Sequence, residues 1–367
     1  MNNKFVRDLF EGLPMKKINQ EHINPAPIRI KKPREIYEHL DKYVIGQDRA
    51  KKTISIAAYN HLKRCEYYLK YGKTIIKKSN VLMIGPTGCG KTHIARNLAN
   101  VLDINLTLSD ATEYTEAGYY GKDVEVMIGE MLNKSGFSAE KTETGIVFID
   151  EIDKLARRKD SMRTGAAGRD IGGEGVQQAL LKMLEANKIY VPYNVTQHWN
   201  KHDFIEIDTT NILFICAGAF EGINEEFKNA KVGFEKQKSN RLELEGTTGT
   251  EKLKKYGIIP ELLGRLPVKI TLNELNEDEL RRILEEPPDS LINEYSTLLY
   301  LDNKTVEFED KALNAVAHFA AKEKLGARAL RSIMEIIMED IMFEAPDMPE
   351  KSKIKISEKM VNEKLYS

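Results

Sequence analysis

The chain is 367 residues long and 41% apolar, with 55 basic against 56 acidic residues and a net charge of −1. That length accommodates two packed domains, or one large and one small, and the near-neutral balance excludes a whole-chain field for nucleic acid or an anionic membrane. No run approaches about eighteen consecutive apolar residues, the N-terminus lacks a signal-like apolar core, and Cys65, Cys89 and Cys216 form no metal-spaced pair, so a reduced, cytoplasmic chain without membrane contact is expected.

Residues 1–34 are polar, with three prolines between 25 and 33, and read as a loosely ordered arm. A helix is predicted from Pro33 through Ile36, Tyr37 and Leu40, and a longer one from Ala50 to Leu69. Strand and helix signals then alternate. Strands are expected at 81–84, 104–108, 146–149 and 211–216, and helices at 91–101, 123–133 and 174–186. Such alternation predicts an α/β fold, a parallel sheet flanked by helices on both faces. The segment 232–250, charged and ending in Gly246-Thr247-Thr248-Gly249-Thr250, is expected to be a long surface loop. From Leu272 the pattern becomes mainly helical, with Leu330, Ile333, Met334, Ile337 and Ile341 on one helix face and Lys353-Ile354-Lys355-Ile356 as a short edge strand. The expected organisation is therefore an arm at 1–34, a large domain at 35–271 and a small helical lid domain at 272–367.

Two motifs carry chemistry. Gly85-Pro86-Thr87-Gly88-Cys89-Gly90-Lys91-Thr92 separates an apolar strand from a helix, with Ile94 on the helix's first turn. Such a loop turns backbone N–H groups toward a triphosphate, and the helix N-terminus adds partial positive charge. Lys91 would reach the β- and γ-phosphates of ATP, and the Thr92 hydroxyl would ligate Mg²⁺. The second motif is the run Gly145-Ile146-Val147-Phe148-Ile149, ending in Asp150-Glu151. Asp150 could support Mg²⁺ and Glu151 could polarise the attacking water. Cys89, near a helix N-terminus and Lys91, is either a thiol of depressed pKa whose modification would block ATP, or an inert small residue.

A wider set of segments occurs in order. They are Tyr43-Val44-Ile45-Gly46-Gln47, Thr115-Glu116-Ala117-Gly118-Tyr119-Tyr120-Gly121, Phe148-Ile149-Asp150-Glu151-Ile152-Asp153-Lys154 and Gly173-Glu174-Gly175-Val176-Gln177-Gln178. Pro260-Glu261-Leu262-Leu263-Gly264-Arg265-Leu266-Pro267 and Gly326-Ala327-Arg328-Ala329-Leu330-Arg331 follow. Together with the phosphate loop, this set resembles the ClpX family, the ATP-binding subunits of the Clp protease, over about residues 34–345. The resemblance implies an AAA+ P-loop NTPase, a homo-hexamer that unfolds tagged or unfolded proteins and delivers them to a ClpP-type peptidase. It assigns Arg265 as an arginine finger for the neighbouring subunit, although the residue alone would read as an ordinary surface arginine. It assigns Arg328 to sensing the γ-phosphate from the small domain, and Val44 and Ile45 to packing on adenine, where they could equally be core. Tyr119 and Tyr120 correspond to a substrate-gripping pore loop.

Departures from the family pattern matter too. The usual N-terminal module with two Cys-x₂-Cys pairs is absent, so zinc is not expected; a natural short form and a truncated chain both remain open. The second pore loop, normally an Arg-Lys-His cluster, reads Gln197-His198-Trp199-Asn200-Lys201-His202 here, leaving His198, Lys201 and His202 as its basic groups. Val232-Gly233-Phe234 stands where the peptidase-docking tripeptide is commonly Ile-Gly-Phe. A disassembly chaperone working without a peptidase is the nearest alternative; a nucleic-acid ring ATPase is disfavoured by the neutral charge.

Overall fold

The computed structural model describes residues 30–72, 75–114, 122–156, 173–185, 188–192, 204–223, 247–323 and 325–366. Helices α1 (Pro33–Tyr43) and α2 (Asp48–Tyr71) precede strand β1 (Val81–Ile84), helix α3 (Lys91–Leu102) and strand β2 (Leu106–Asp110). Helices α4 (Val126–Lys134) and α5 (Ala139–Glu143) lead to β3 (Ile146–Asp150), followed by α6 (Gly173–Leu184) and strands β4 (Lys188–Pro192), β5 (Phe204–Asp208) and β6 (Leu213–Gly218). Helices α7 (Thr247–Tyr256) and α8 (Pro260–Arg265) then precede β7 (Val268–Thr271).

Five strands form one parallel sheet in the order β2-β3-β6-β1-β7. Its central strands are apolar throughout because alternate side chains enter different cores. Leu82, Ile84, Val147, Ile149, Phe214 and Cys216 pack with α4, α6 and α8 on one face. Val81, Met83, Ile146, Phe148, Leu213 and Ile215 pack with α1, α2 and α3 on the other. A parallel sheet needs both layers, since each crossover returns over a face. The arrangement places the ends of β1 and β3 on the same rim, with β6 between them.

Beyond the sheet lie α9 (Glu277–Glu285), α10 (Leu291–Leu301), β8 (Thr305–Phe308), α11 (Asp310–Glu323), α12 (Ala327–Glu344), β9 (Lys353–Ile356) and α13 (Glu358–Leu365). They surround a separate core containing Leu280, Leu313, Leu330, Ile333, Met334 and Ile337. The capping box of α9 is complete: Asn276 accepts from the Glu279 N–H, and Glu279 accepts from the Asn276 N–H, both at 2.9 Å. These bonds satisfy two N–H groups that the first helical turn leaves unpaired. Strand β9 pairs in parallel with β8.

The observed elements depart from expectation in several places. Strands β2 and β6 begin two residues later than predicted. A 3₁₀ turn at Thr209–Asn211, capped by Asp208, delays the latter. Residues 247–250, expected in a loop, open helix α7. The antiparallel hairpin β4–β5 and the edge strand β7 were not anticipated at all. Among the described residues no helix is long and apolar enough to cross a membrane.

Candidate nucleotide-binding site

A cavity of about 660 Å³ opens where the rim of the sheet meets the C-terminal body. One wall is the phosphate loop, from Thr87 to Thr92, with His93 beyond it. Opposite lie Asp150, Glu151, Asp153 and Lys154 at the end of β3. Tyr43, Val44 and Ile45 form an apolar flank, and Ala327, Arg328 and Arg331 of α12 close the remaining side.

The loop is set for an anion. Lys91 is buried, its ammonium donating to the Gly85 carbonyl at 2.7 Å and the Pro86 carbonyl at 2.9 Å. Those backbone contacts hold the ammonium inside the curl of the loop, at the N-terminus of α3, where helix partial charge is also positive. The Thr92 hydroxyl donates to Asp150 Oδ2 at 3.2 Å, bringing two hard oxygen donors together across the cleft. Glu151 adopts φ +56°, uncommon for a residue with a side chain, and its N–H donates to Asp150 Oδ1 at 2.9 Å. Strained backbone of this kind recurs where a side chain must be aimed. Asp153 accepts from the N–H groups of Ala219 and Phe220 at 3.2 and 3.3 Å, tying the turn after β3 to the end of β6.

On the helical side, Arg331 is engaged by Glu294 through two bonds of 3.1 and 2.7 Å. Arg328 has no ionic partner among the described residues and lines the cavity. The Arg328 guanidinium and the Lys91 ammonium therefore face one space shared with the Asp150 and Glu151 carboxylates and an apolar flank. Such a set accommodates a base, a polyphosphate and a cation together.

The comparisons agree with this geometry. The AAA domain (Cdc48 subfamily) profile matches residues 76–269, and that of the C-terminal, D2-small domain of ClpB protein matches 275–356. The chain is 43% identical over 359 residues to "ATP-dependent Clp protease ATP-binding subunit ClpX 2" of Wolinella succinogenes, covering 98% of this chain and 89% of that relative. It is 42% identical over 338 residues to the ClpX of Treponema denticola, covering 90% and 81% respectively. The chain belongs to the ClpX family. It is therefore an AAA+ ATPase of the ATP-dependent unfoldase class, and it binds nucleotide.

Within this ClpX-family fold, the sequence-predicted residues fall into five groups. Val44, Ile45, Thr87, Gly88, Cys89, Gly90, Lys91, Thr92, Asp150, Glu151 and Arg328 converge on the cavity. Gly85 and Pro86 lie just behind it, holding Lys91. Ile94 is fully buried in the core beneath α3 and does not line the cavity, so it supports the loop from below. Arg265 ends α8 away from its own chain's cavity, where it pairs with Glu185 at 2.7 Å. Tyr119, Tyr120, His198, Lys201, His202, Val232, Gly233 and Phe234 lie outside the described residues.

Of the two readings of Cys89, the structure supports the inert one. Its thiol belongs to the core cluster beneath α3, and burial pushes its pKa up despite the opposing effect of Lys91. The inert reading is favoured because proximity to a cation counts for less here than loss of water around the thiolate.

Other residues with evident positioning roles went unpredicted. Asn80 donates to the Arg265 carbonyl at 3.1 Å and accepts from the Phe214 N–H at 3.3 Å, fixing the end of α8 to the sheet. Gln177, fully buried on α6, donates to the Leu155 carbonyl at 2.7 Å and accepts from the Ile259 N–H at 2.9 Å, just before α8. A glutamine inside the apolar face of a predicted helix is the one local signal that could have flagged the latter.

Proposed function

We propose that this protein hydrolyses ATP at the interfaces of a homo-hexamer in the cytoplasm, pulling polypeptides through a central pore into a ClpP-type peptidase. The observation that carries this reading is one cavity in which the phosphate loop, the acidic pair and Arg328 of α12 meet. Residues 35–271 serve as the large domain and 272–367 as the lid, with 1–34 as a polar arm.

The phosphate-loop N–H groups and Lys91 bind the β- and γ-phosphates. Thr92 and Asp150 would hold Mg²⁺, since two oxygen donors 3.2 Å apart suit a cation that takes few protein ligands and completes its shell with phosphate and water. Bound there, Mg²⁺ would neutralise charge on the β/γ oxygens. Glu151 polarises the water that attacks the γ-phosphorus, and the displaced ADP leaves as phosphate is released. Val44 and Ile45 pack against adenine, and Arg328 reads the γ-phosphate from the lid.

Arg265 serves the next subunit's cavity. Its ion pair with Glu185 is half exposed, and surface pairs contribute only about 0–1 kcal/mol, so the guanidinium exchanges partners at little cost. Substrate grip is assigned to Tyr119 and Tyr120, with His198, Lys201 and His202 in the second pore loop. Val232, Gly233 and Phe234 are assigned to peptidase docking. These assignments rest on the family pattern.

The test is ATP-dependent degradation of a tagged, folded fluorescent reporter with added ClpP-type peptidase. The unaltered protein is expected to extinguish fluorescence only with ATP. Glu151→Gln should bind ATP without turnover, Tyr119→Ala should hydrolyse ATP without unfolding, and Phe234→Ala should unfold without supporting degradation. Reporter stability with the unaltered protein, MgATP and peptidase would overturn the reading.

A further inference from the structure

Between the two bodies the chain passes from one core to the other within three residues. Leu272 packs beneath the sheet and Leu275 packs in the C-terminal core, so Asn273 and Glu274 form the connection. Gln47, 226 positions earlier than Asn273, holds that connection. Its Nε2 donates to the Asn273 carbonyl and its Oε1 accepts from the Asn273 N–H, both at 2.9 Å. A buried side-chain amide thus pairs with one backbone residue as a neighbouring strand would.

Gln47 also ends the segment that flanks the cavity. Tyr43, Val44 and Gly46 before it each meet a different neighbour. His93, adjacent to Thr92, meets the Tyr43 carbonyl through Nε2 at 3.1 Å. Lys51 donates to the Val44 carbonyl at 3.1 Å. Gly46 lies so close to α9 that a Cβ there would come within 2.4 Å of Glu279 Oε1. The phosphate-loop helix, the base-side flank, the connection and the lid's first helix are therefore linked in sequence.

Gln47 is in an unusual state for this role. It occupies the N-cap of α2 with φ +57°, and its side chain does not cap that helix. Asx- and Ser-type residues usually spend their oxygen on the helix at this position. Here the amide is turned outward onto Asn273, at the expense of an uncommon backbone conformation.

We propose that Gln47 is a positioning residue that transmits nucleotide occupancy at Val44–Ile45 to the Asn273 connection, and so sets the angle of the lid. This rests on the reading that the cavity takes ATP and that residues 272–367 act as a lid. Without Gln47, nucleotide still binds, but the lid no longer follows.

The experiment places donor and acceptor dyes on cysteines introduced at exposed Lys141 and Lys359, one in each body; native Cys65, Cys89 and Cys216 are buried. Energy transfer is read with and without ADP, and affinity is measured with fluorescent ADP. In the unaltered protein, ADP should change the transfer efficiency. Gln47→Ala should bind ADP within about threefold of the unaltered affinity yet lose at least roughly half of the transfer change. Gln47→Glu, which still accepts from the Asn273 N–H but cannot donate, should fall between them. A full-sized change in Gln47→Ala overturns the proposal; if that variant does not fold, a full-sized change in Gln47→Glu does so. An unaltered protein that binds ADP without any change in transfer also overturns it and leaves the ATPase reading standing. Failure of the unaltered protein to bind ADP overturns both.

Discussion

The N–H of Ala327, the first residue of α12, donates to the carbonyl of Gly88 in the phosphate loop at 3.0 Å. This backbone bond joins the C-terminal body to the loop that would cradle phosphate. It requires close approach of two chains: a Cβ on Gly326 would lie 2.8 Å from the Gly88 carbonyl carbon and oxygen. Gly326 also sits at φ +59°, ψ −145°, a region that residues with side chains scarcely enter.

Gly326→Ala should therefore push α12 off the loop while leaving both cores intact. Strain of this kind is worth roughly 1–3 kcal/mol, so an increase of about tenfold in the KM for ATP is expected with little loss of helix content. Steady-state hydrolysis and circular dichroism together check this. An unaltered KM would mean that the contact contributes nothing to nucleotide binding.

Arg265 and Lys91 make a second prediction, about which chain completes which site. Lys91 lines its own cavity, whereas Arg265 is absent from that lining and ends α8 beside Glu185. Lys91→Ala and Arg265→Ala should each be nearly inactive, with losses of about 10³–10⁵ possible for an arginine finger. Mixed together before assembly, they should recover measurable hydrolysis, because some interfaces then pair an intact Lys91 with an intact Arg265. Phosphate release in mixtures is the measurement, and a mixture no better than its components would place Arg265 within its own subunit's chemistry.

What was readable in the sequence follows from how locally each feature is encoded. The runs Val81–Ile84 and Ile146–Asp150 announce strands covered on both faces, and the glycines before Lys91 announce an anion loop, because neither needs distant context. Strand β7 was missed because Val-Lys-Ile-Thr is short and carries a lysine, half-buried at the sheet edge, a pattern equally suited to a connection. The strands β4 and β5 are separated in the sequence by more residues than a two-residue turn spans, so their two alternating halves gave no pairing signal. Gln47, Asn80 and Gln177 were invisible for a deeper reason. Their partners lie 22 to 226 positions away, and no local spacing records such a bond. For Cys89 the sequence left two readings, since helix dipole and lysine were both present, and the burial of the side chain favours the inert one.

The burial of Cys89 predicts resistance to thiol reagents. With its pKa raised, little thiolate forms near neutral pH, and the thiolate is the nucleophile. Maleimide at pH 7 should leave ATP hydrolysis intact over times that fully label the denatured chain, as mass spectrometry can follow. Cys89→Ser should retain hydrolysis within about threefold, since the side chain packs rather than reacts. Rapid loss of activity that Cys89→Ser escapes would restore the reactive-thiol reading.

His61 supplies a prediction about acid stability. It is fully buried on α2, beside Cys65 with Sγ 3.6 Å from Nε2. Burial, with smaller contributions from the nearby Lys78 and Arg64 cations, pushes its pKa down to about 3. The Cys65 thiol on the next turn is driven the other way, to about 12, mainly by burial, so the pair is neutral in the folded protein. The unfolded chain, with an ordinary imidazole near 6.5, binds a proton that the folded chain refuses. Stability from this residue is therefore fully present above pH 6.5 and is lost as pH falls toward 3. Between pH 7 and 5 the loss amounts to ~2 kcal/mol. His61→Leu removes the titrating group and keeps an apolar side chain in place, so it should denature at a urea concentration that falls less over this interval than that of the unaltered protein. Parallel pH dependences for the two proteins would show that the imidazole takes up its proton without unfolding, and that this part of the core admits water.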